Sequence, residues 1–109
     1  MNDLFLNLLG LCRKAGKLSL GHDACKLSIN SGKASVVFIT SDASERLIDE
    51  IEGLAQNKEI RIFYIKQTML DIRSAVGFKA AVFSVDDDGF AKSLINKLNE
   101  NKNGEERSL

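Results

Sequence analysis

The sequence predicts an α/β domain built as a three-layer α/β/α sandwich around a small four-stranded sheet, mixed or parallel. Three observations predict it. Helix-period apolar segments alternate with short β-prone runs in the order αβαβαβαβα, the connections between them are short, and no proline interrupts the chain. With 109 residues, 44% of them hydrophobic, the chain has the size and apolar content of one domain around one ordinary core. No internal repeat or linker divides it.

Asn2 and Asp3 are cap residues ahead of a first helix, in which Leu4, Leu8, Leu9, Leu11 and Cys12 recur at helical spacing to about Lys14. Gly16 stops it. Leu18-Ser19-Leu20 reads as a very short strand, and Gly21 marks the turn into a second helix, His22 to Asn30, with Ala24, Cys25, Leu27 and Ile29 available to the core. Gly32 ends that helix. Ala34 to Thr40 is a strongly β-prone apolar run, the pattern of a central strand covered on both faces. Cap candidates in Ser41 to Glu45 precede Leu47, Ile48, Ile51, Leu54 and Ala55, which predicts a third helix to about Asn57 with an acidic outer face. Ile60 to Ile65 is the next strand, Thr68 to Val76 a short helix closed by Gly77, and Ala80 to Val85 the last strand. Asp86-Asp87-Asp88 then places negative charge at the start of a final helix, Phe90 to about Leu98, where the helix dipole favours it. The domain is therefore expected over residues 1–98, and residues 99–109 are expected to form a polar, fraying tail.

Charge narrows the function classes through its distribution rather than its sum. Lys+Arg and Asp+Glu are both 15, so whole-chain electrostatics gives no case for non-specific nucleic-acid binding. Residues 1–40 nevertheless carry Arg13, Lys14, Lys17, Lys26 and Lys33 against only Asp3 and Asp23, a surplus of +3 that the rest of the chain reverses. Cys12 and Cys25 lie in apolar-periodic segments without CxxC spacing, and a single histidine accompanies them, so neither a zinc site nor a disulfide scaffold is indicated. Buried thiols of a cytosolic protein are expected. The N-terminal residues lack the pattern of a secretory signal and no apolar stretch approaches membrane-spanning length, so a cytoplasmic chain with no membrane partner is expected.

The catalytic inventory is thin. His22 is the single histidine, and GxSxG, GxxxxGK[ST] and GxGxxG loops are all missing from the sequence. Gly10 to Gly16 lies at a helix end rather than at a strand-to-helix turn. Asp86, Asp87 and Asp88 satisfy a helix start without any ion, and Asp42 and Glu45 read as cap and first-turn residues rather than an acid/base pair. A non-catalytic protein without cofactor or metal is expected.

The Gly21 segment differs from these. Glycine lets backbone approach a ligand, the exposed N–H groups of a helix start suit an anionic or acceptor-rich partner, and Lys26 falls one turn down the face from His22. Spacing alone leaves two readings open: a donor-presenting face, or a helix start capped by His22 and Asp23 with a solvated lysine.

Gly21-x-x-x-x-Lys26, followed by Ser31-Gly32-Lys33-Ala34-Ser35-Val36-Val37-Phe38-Ile39-Thr40-Ser41-Asp42-Ala43-Ser44, resembles the core signature of the kink-turn-binding ribosomal protein superfamily. The opening Leu6 to Leu18 and the late Asp88 to Leu94 are similar to its small bacterial YlxQ-type branch. This resemblance implies a sandwich of the type predicted above and an RNA site made from two places. One is a helix start that meets sheared G·A pairs, to which Gly21 and Lys26 correspond, with His22 where the family has Asn and Asp23 where it has Glu. The other is a loop over an extruded nucleotide, which falls on Ile72 to Gly77; Ala75, Val76 and Gly77 fit its apolar, tight-turning pattern and Arg73 replaces a small residue. Lys33 adds to the basic surplus of these segments.

The expected protein is thus a monomeric, non-catalytic RNA-binding module for structured, kink-turn-like RNA, ribosomal RNA included, in the ribosome or another ribonucleoprotein. The alternative is a protein-interaction module on the same fold that has lost kink-turn recognition.

Overall fold

Local signals set the ends of most elements. In the computed structural model, which describes residues 3–101 and 104–107, α1 (Leu4–Lys14), β1 (Leu18–Leu20), α2 (His22–Asn30), β2 (Val36–Ile39) and α3 (Glu45–Asn57) open the chain. They are followed by β3 (Ile62–Ile65), α4 (Met69–Val76), β4 (Val82–Val85), α5 (Asp88–Asn101) and β5 (Gly104–Arg107). Asp3 caps α1 by accepting the Leu6 N–H at 3.1 Å, and Ser44 caps α3 by accepting the Leu47 N–H at 3.2 Å. Thr68 and Asp71 close a reciprocal capping box at the start of α4, and Gly77 ends that helix in the left-handed region at φ 78°. Within the acidic triplet, Asp87 is the cap, taking the Phe90 N–H at 2.8 Å.

The sheet order is β1-β4-β2-β3-β5. Among the described residues, only β2 and β3 run parallel; β4 pairs antiparallel with both β1 and β2, and β5 pairs antiparallel with β3. The sheet is therefore mixed. All four residues of β2 are buried, as a central strand requires. One face of the sheet is covered by α1, α4 and α5, which bring Phe5, Leu9, Cys12, Ile72, Leu94 and Leu98 onto Phe38, Phe63 and Phe83. The Phe38 ring is the centre of that layer, edge-on to Phe5 at 5.2 Å and tilted against Phe83 and Phe63 at 5.5 and 5.8 Å. On the other face, α2 and α3 bury Cys25, Ile29, Ile51 and Ala55 against Val37, Ile39, Ile62 and Val82.

Two expectations are corrected in detail. The buried stripe of α1 is Phe5, Leu9 and Cys12, whereas Leu4 and Leu11 are exposed: the helix presents the neighbouring row, which carries the larger aromatic, to the sheet. In α2, Leu27 is 70% exposed and Ser28 is buried in its stead. The reason is Asp86, whose carboxylate accepts the hydroxyls of Ser19, Ser28 and Ser84 at 2.5, 2.6 and 2.9 Å and so ties β1, α2 and β4 together. The polar tail expected from residue 99 onward is described in part. α5 continues past Leu98 to Asn101, and Gly104–Arg107 lies along β3, whose edge would otherwise leave backbone donors and acceptors without a ladder partner. Residues 102, 103, 108 and 109 of that tail lie outside the described residues.

Candidate nucleic-acid interface

The site is built where β1 ends. The Gly21 N–H donates to the Val82 carbonyl at 2.9 Å, which locks the chain against the start of β4. Gly21 then turns with φ 95° and ψ 171°, a conformation essentially reserved for glycine, so that α2 leaves from the sheet's end. Gly21 occupies the N-cap position and supplies no side-chain acceptor. Neither His22 nor Asp23 caps this helix. The first N–H groups of α2 have no carbonyl within the helix to bond.

His22 and Lys26 lie one turn apart and meet at a single carboxylate. His22 Nε2 is 2.9 Å from Glu50 Oε1, and Lys26 Nζ is 3.4 Å from Glu50 Oε2. Glu50 belongs to α3. The acidic third helix thus delivers one of its carboxylates into the site, because α2 and α3 pack side by side on the same sheet face. The hydrogen bond from His22, with a further one from Lys26, holds the Glu50 carboxyl below its ordinary range against the opposing effect of burial. Asp23 is fully exposed, its Oδ1 3.8 Å from His22 Nδ1. Between the two helices His22, Ser44, Arg46, Leu47 and Glu50 line a groove of about 320 Å³.

The second segment reaches the first through a residue that sequence reasoning missed. The Phe78 ring, 42% exposed, stands 3.9 Å from where a side chain on Gly21 would begin. Phe78 directly follows Gly77, so the helix start and the loop before β4 form one edge of the molecule. The Gly77 N–H donates to the Arg73 carbonyl at 2.7 Å; Ala75 and Val76 are half-buried, and the Arg73 side chain is exposed. Arg13, from the end of α1, donates to the Val76 carbonyl at 2.7 Å and anchors the loop. A glycine followed by an aromatic and a lysine was the available signal for Phe78. Glu50 gave none, since its role depends on packing between two helices.

Lys33 is not brought to this edge. It follows the far end of α2, beside Ser35, whose N–H bonds the carbonyl of Val85, whereas Gly21 bonds Val82 at the other end of the same strand. The nine residues of α2 separate His22 from that end, a rise of roughly 13 Å. The acidic triplet is also accounted for: Asp86 holds three serines, Asp87 caps α5, and Asp88 accepts the Ser35 hydroxyl at 2.6 Å. Among the described residues, no group of His, Cys, Asp and Glu side chains is arranged to hold a metal ion. Likewise among them, no helix is long and apolar enough to cross a membrane.

A small α/β/α sandwich that presents a glycine-started helix and an adjoining glycine-closed loop as one edge defines a binding domain. The chain belongs to the ribosomal protein L7Ae/L30e/S12e/Gadd45 family, whose model matches residues 5–95. It is 33% identical over 87 residues to the RNA-binding protein YlxQ of Enterococcus faecium, covering 80% of this chain and 84% of that protein. It is 29% identical over 83 residues to the large ribosomal subunit protein eL30 of Candida glabrata, covering 74% and 79%. Among solved structures, a Bacillus halodurans protein of unknown function superposes with a TM-score of 0.82 at 22% identity, over 90% of this chain and 99% of that one. The Giardia lamblia 15.5kD RNA binding protein superposes with a TM-score of 0.71 at 18% identity, over 92% and 89%. Both superpositions establish the fold. The expected superfamily and its YlxQ-type branch are thereby borne out.

Proposed function

We infer that this protein is a non-catalytic RNA-binding protein that recognises structured, kink-turn-like RNA in the ribosome or another cytoplasmic ribonucleoprotein. The observation that carries the inference is the meeting of Gly21 and Phe78, which joins the α2 start to the Gly77 loop in a family whose YlxQ relative is an RNA-binding protein. Gly21, His22, Asp23 and Lys26 form one half of the proposed contact surface, and Arg73, Ala75, Val76, Gly77 and Phe78 the other. Lys33 stands outside it.

The chemistry suits such a ligand. The N–H groups at the α2 start, the His22 imidazole and the Lys26 ammonium are donors for phosphate oxygens and guanine acceptors. The Phe78 ring and the small side chains beside it offer a face on which an unstacked base can pack. Arg73 adds a cation at the rim. On a chain of zero formal charge the recognition is local, so shape and contact geometry dominate over bulk attraction.

The test is binding to a kink-turn RNA duplex, measured by fluorescence anisotropy with a straight duplex of equal length as control. Micromolar or tighter binding that weakens with salt is expected, with Lys26→Ala and Gly77→Asp each weakening it by about fivefold or more. Two unchanged affinities in folded variants would remove this edge as the RNA site.

A further inference from the structure

The role of Glu50 is not explained by the fold. Its side chain lies between α2 and α3, and in the free protein it occupies the donors that the RNA reading requires. Each carboxylate oxygen serves one donor, Oε1 facing His22 and Oε2 facing Lys26. Two adjacent donors shared over two oxygens of one anion is also the arrangement in which a phosphodiester's non-bridging oxygens are held. Other acidic groups of α3 are disposed differently: Glu52 accepts the Tyr64 hydroxyl, and Glu45 and Asp49 are exposed.

We propose that Glu50 is a built-in anionic competitor: its carboxylate holds His22 and Lys26 in the free protein, and RNA must displace it to engage them. The proposal rests on the RNA reading of this edge and adds a residue that tunes its affinity. Displacement is cheap, because the contacts are partly exposed and such pairs contribute little. The released carboxylate also has somewhere to go. Arg46 precedes Glu50 by one helical turn on α3 and lines the same groove, at the spacing where opposite charges on a helix meet. His22 is accordingly faced by Asp23 on its own helix and by Glu50 and Arg46 from α3. With Glu50 in place the two donors are masked against weak anionic partners; an RNA that also engages the Gly77 loop supplies the extra contacts that outcompete it.

The experiment compares wild type, E50Q and D49N for binding to the kink-turn duplex at roughly 50 and 200 mM salt. E50Q is expected to bind about three- to tenfold more tightly, with a steeper salt dependence, because it removes the competing charge and one of the two acceptor oxygens. D49N removes the same unit charge from the neighbouring exposed position and is expected to change affinity by less than about twofold. In an H22A/K26A background the gain from E50Q is expected to vanish. A carboxyl titration of the free protein by NMR reads the contact without RNA: the Glu50 midpoint lies below the ordinary range and rises in H22A.

An E50Q variant that binds no more tightly than wild type, a D49N gain of equal size, or a gain that survives in H22A/K26A would each overturn the competitor role. So would an unperturbed Glu50 midpoint. If neither wild type nor E50Q binds the kink-turn duplex, the RNA assignment itself falls and this proposal with it. If wild type binds and E50Q is indifferent, the competitor role falls alone.

Discussion

Gly21 shows how much a single residue decides. Its φ of 95° with ψ 171° points α2 away from β1, and the space beside it ends on Phe78 at 3.9 Å, an ordinary contact distance. Alanine would therefore fit sterically while the backbone would not. Gly21→Ala is expected to cost about 1–3 kcal/mol in urea unfolding, from backbone strain rather than a clash. Cys12 and Cys25 make the opposite case, residues whose chemistry is suppressed. Burial first, then the nearby Asp86 and Asp87 carboxylates, pushes the Cys12 thiol up to about 12, and burial likewise pushes Cys25 to about 12 against a lowering hydrogen bond with Ser84. Neither thiol is expected to react with a thiol-specific reagent at pH 8 until the protein is unfolded by denaturant. For Glu50 the sign runs the usual carboxylate way. Its folded value lies below the ordinary 4.5, so the contact contributes fully above that pH and is lost as pH falls through the lowered value. The sequence singled out Gly21 and Lys26 by residue type and spacing; it could not show that Glu50, 24 positions after Lys26, would lie against them.

At the scale of elements, the caps were largely legible because they act over three or four residues. Asp3, the Ser41 to Glu45 cap group and Gly77 all stand out in the chain, and the structure uses Asp3, Ser44 and Gly77. Thr68→Ala, which breaks the capping box of α4, is expected to lower stability by about 1 kcal/mol in thermal or chemical unfolding. The face that a helix buries was less legible. Hydrophobicity alone assigns Leu27 to the core, yet α2 turns Ser28 inward because Asp86, 58 positions away, is there to accept its hydroxyl. Periodicity reports which residues are apolar, and a buried hydrogen bond can outvote one of them. Asp86→Ala leaves the buried Ser28 and Ser84 hydroxyls without that acceptor and is expected to cost about 2–4 kcal/mol.

Across the whole molecule, stability depends on two apolar layers clamped to one four-residue central strand. Phe38 joins α1 to β2, β3 and β4 through Phe5, Phe63 and Phe83. Phe38→Ala is expected to cost about 3–5 kcal/mol. Against the usual total of about 5–15 kcal/mol, that is enough to lower the melting temperature markedly in a calorimetric scan. The alternation of helix and strand, the segment positions, the buried β2 strand and the glycine-started helix were determined by the sequence alone, because each follows from residue type and near-neighbour spacing. Tertiary structure alone decided the rest. It chose the mixed order β1-β4-β2-β3-β5, laid Gly104–Arg107 along β3, left Lys33 at the far end of α2, and set Phe78 and Glu50 beside the Gly21 edge. Those outcomes are fixed by which elements pack against which, and contacts between residues distant in the chain leave no periodic trace in it.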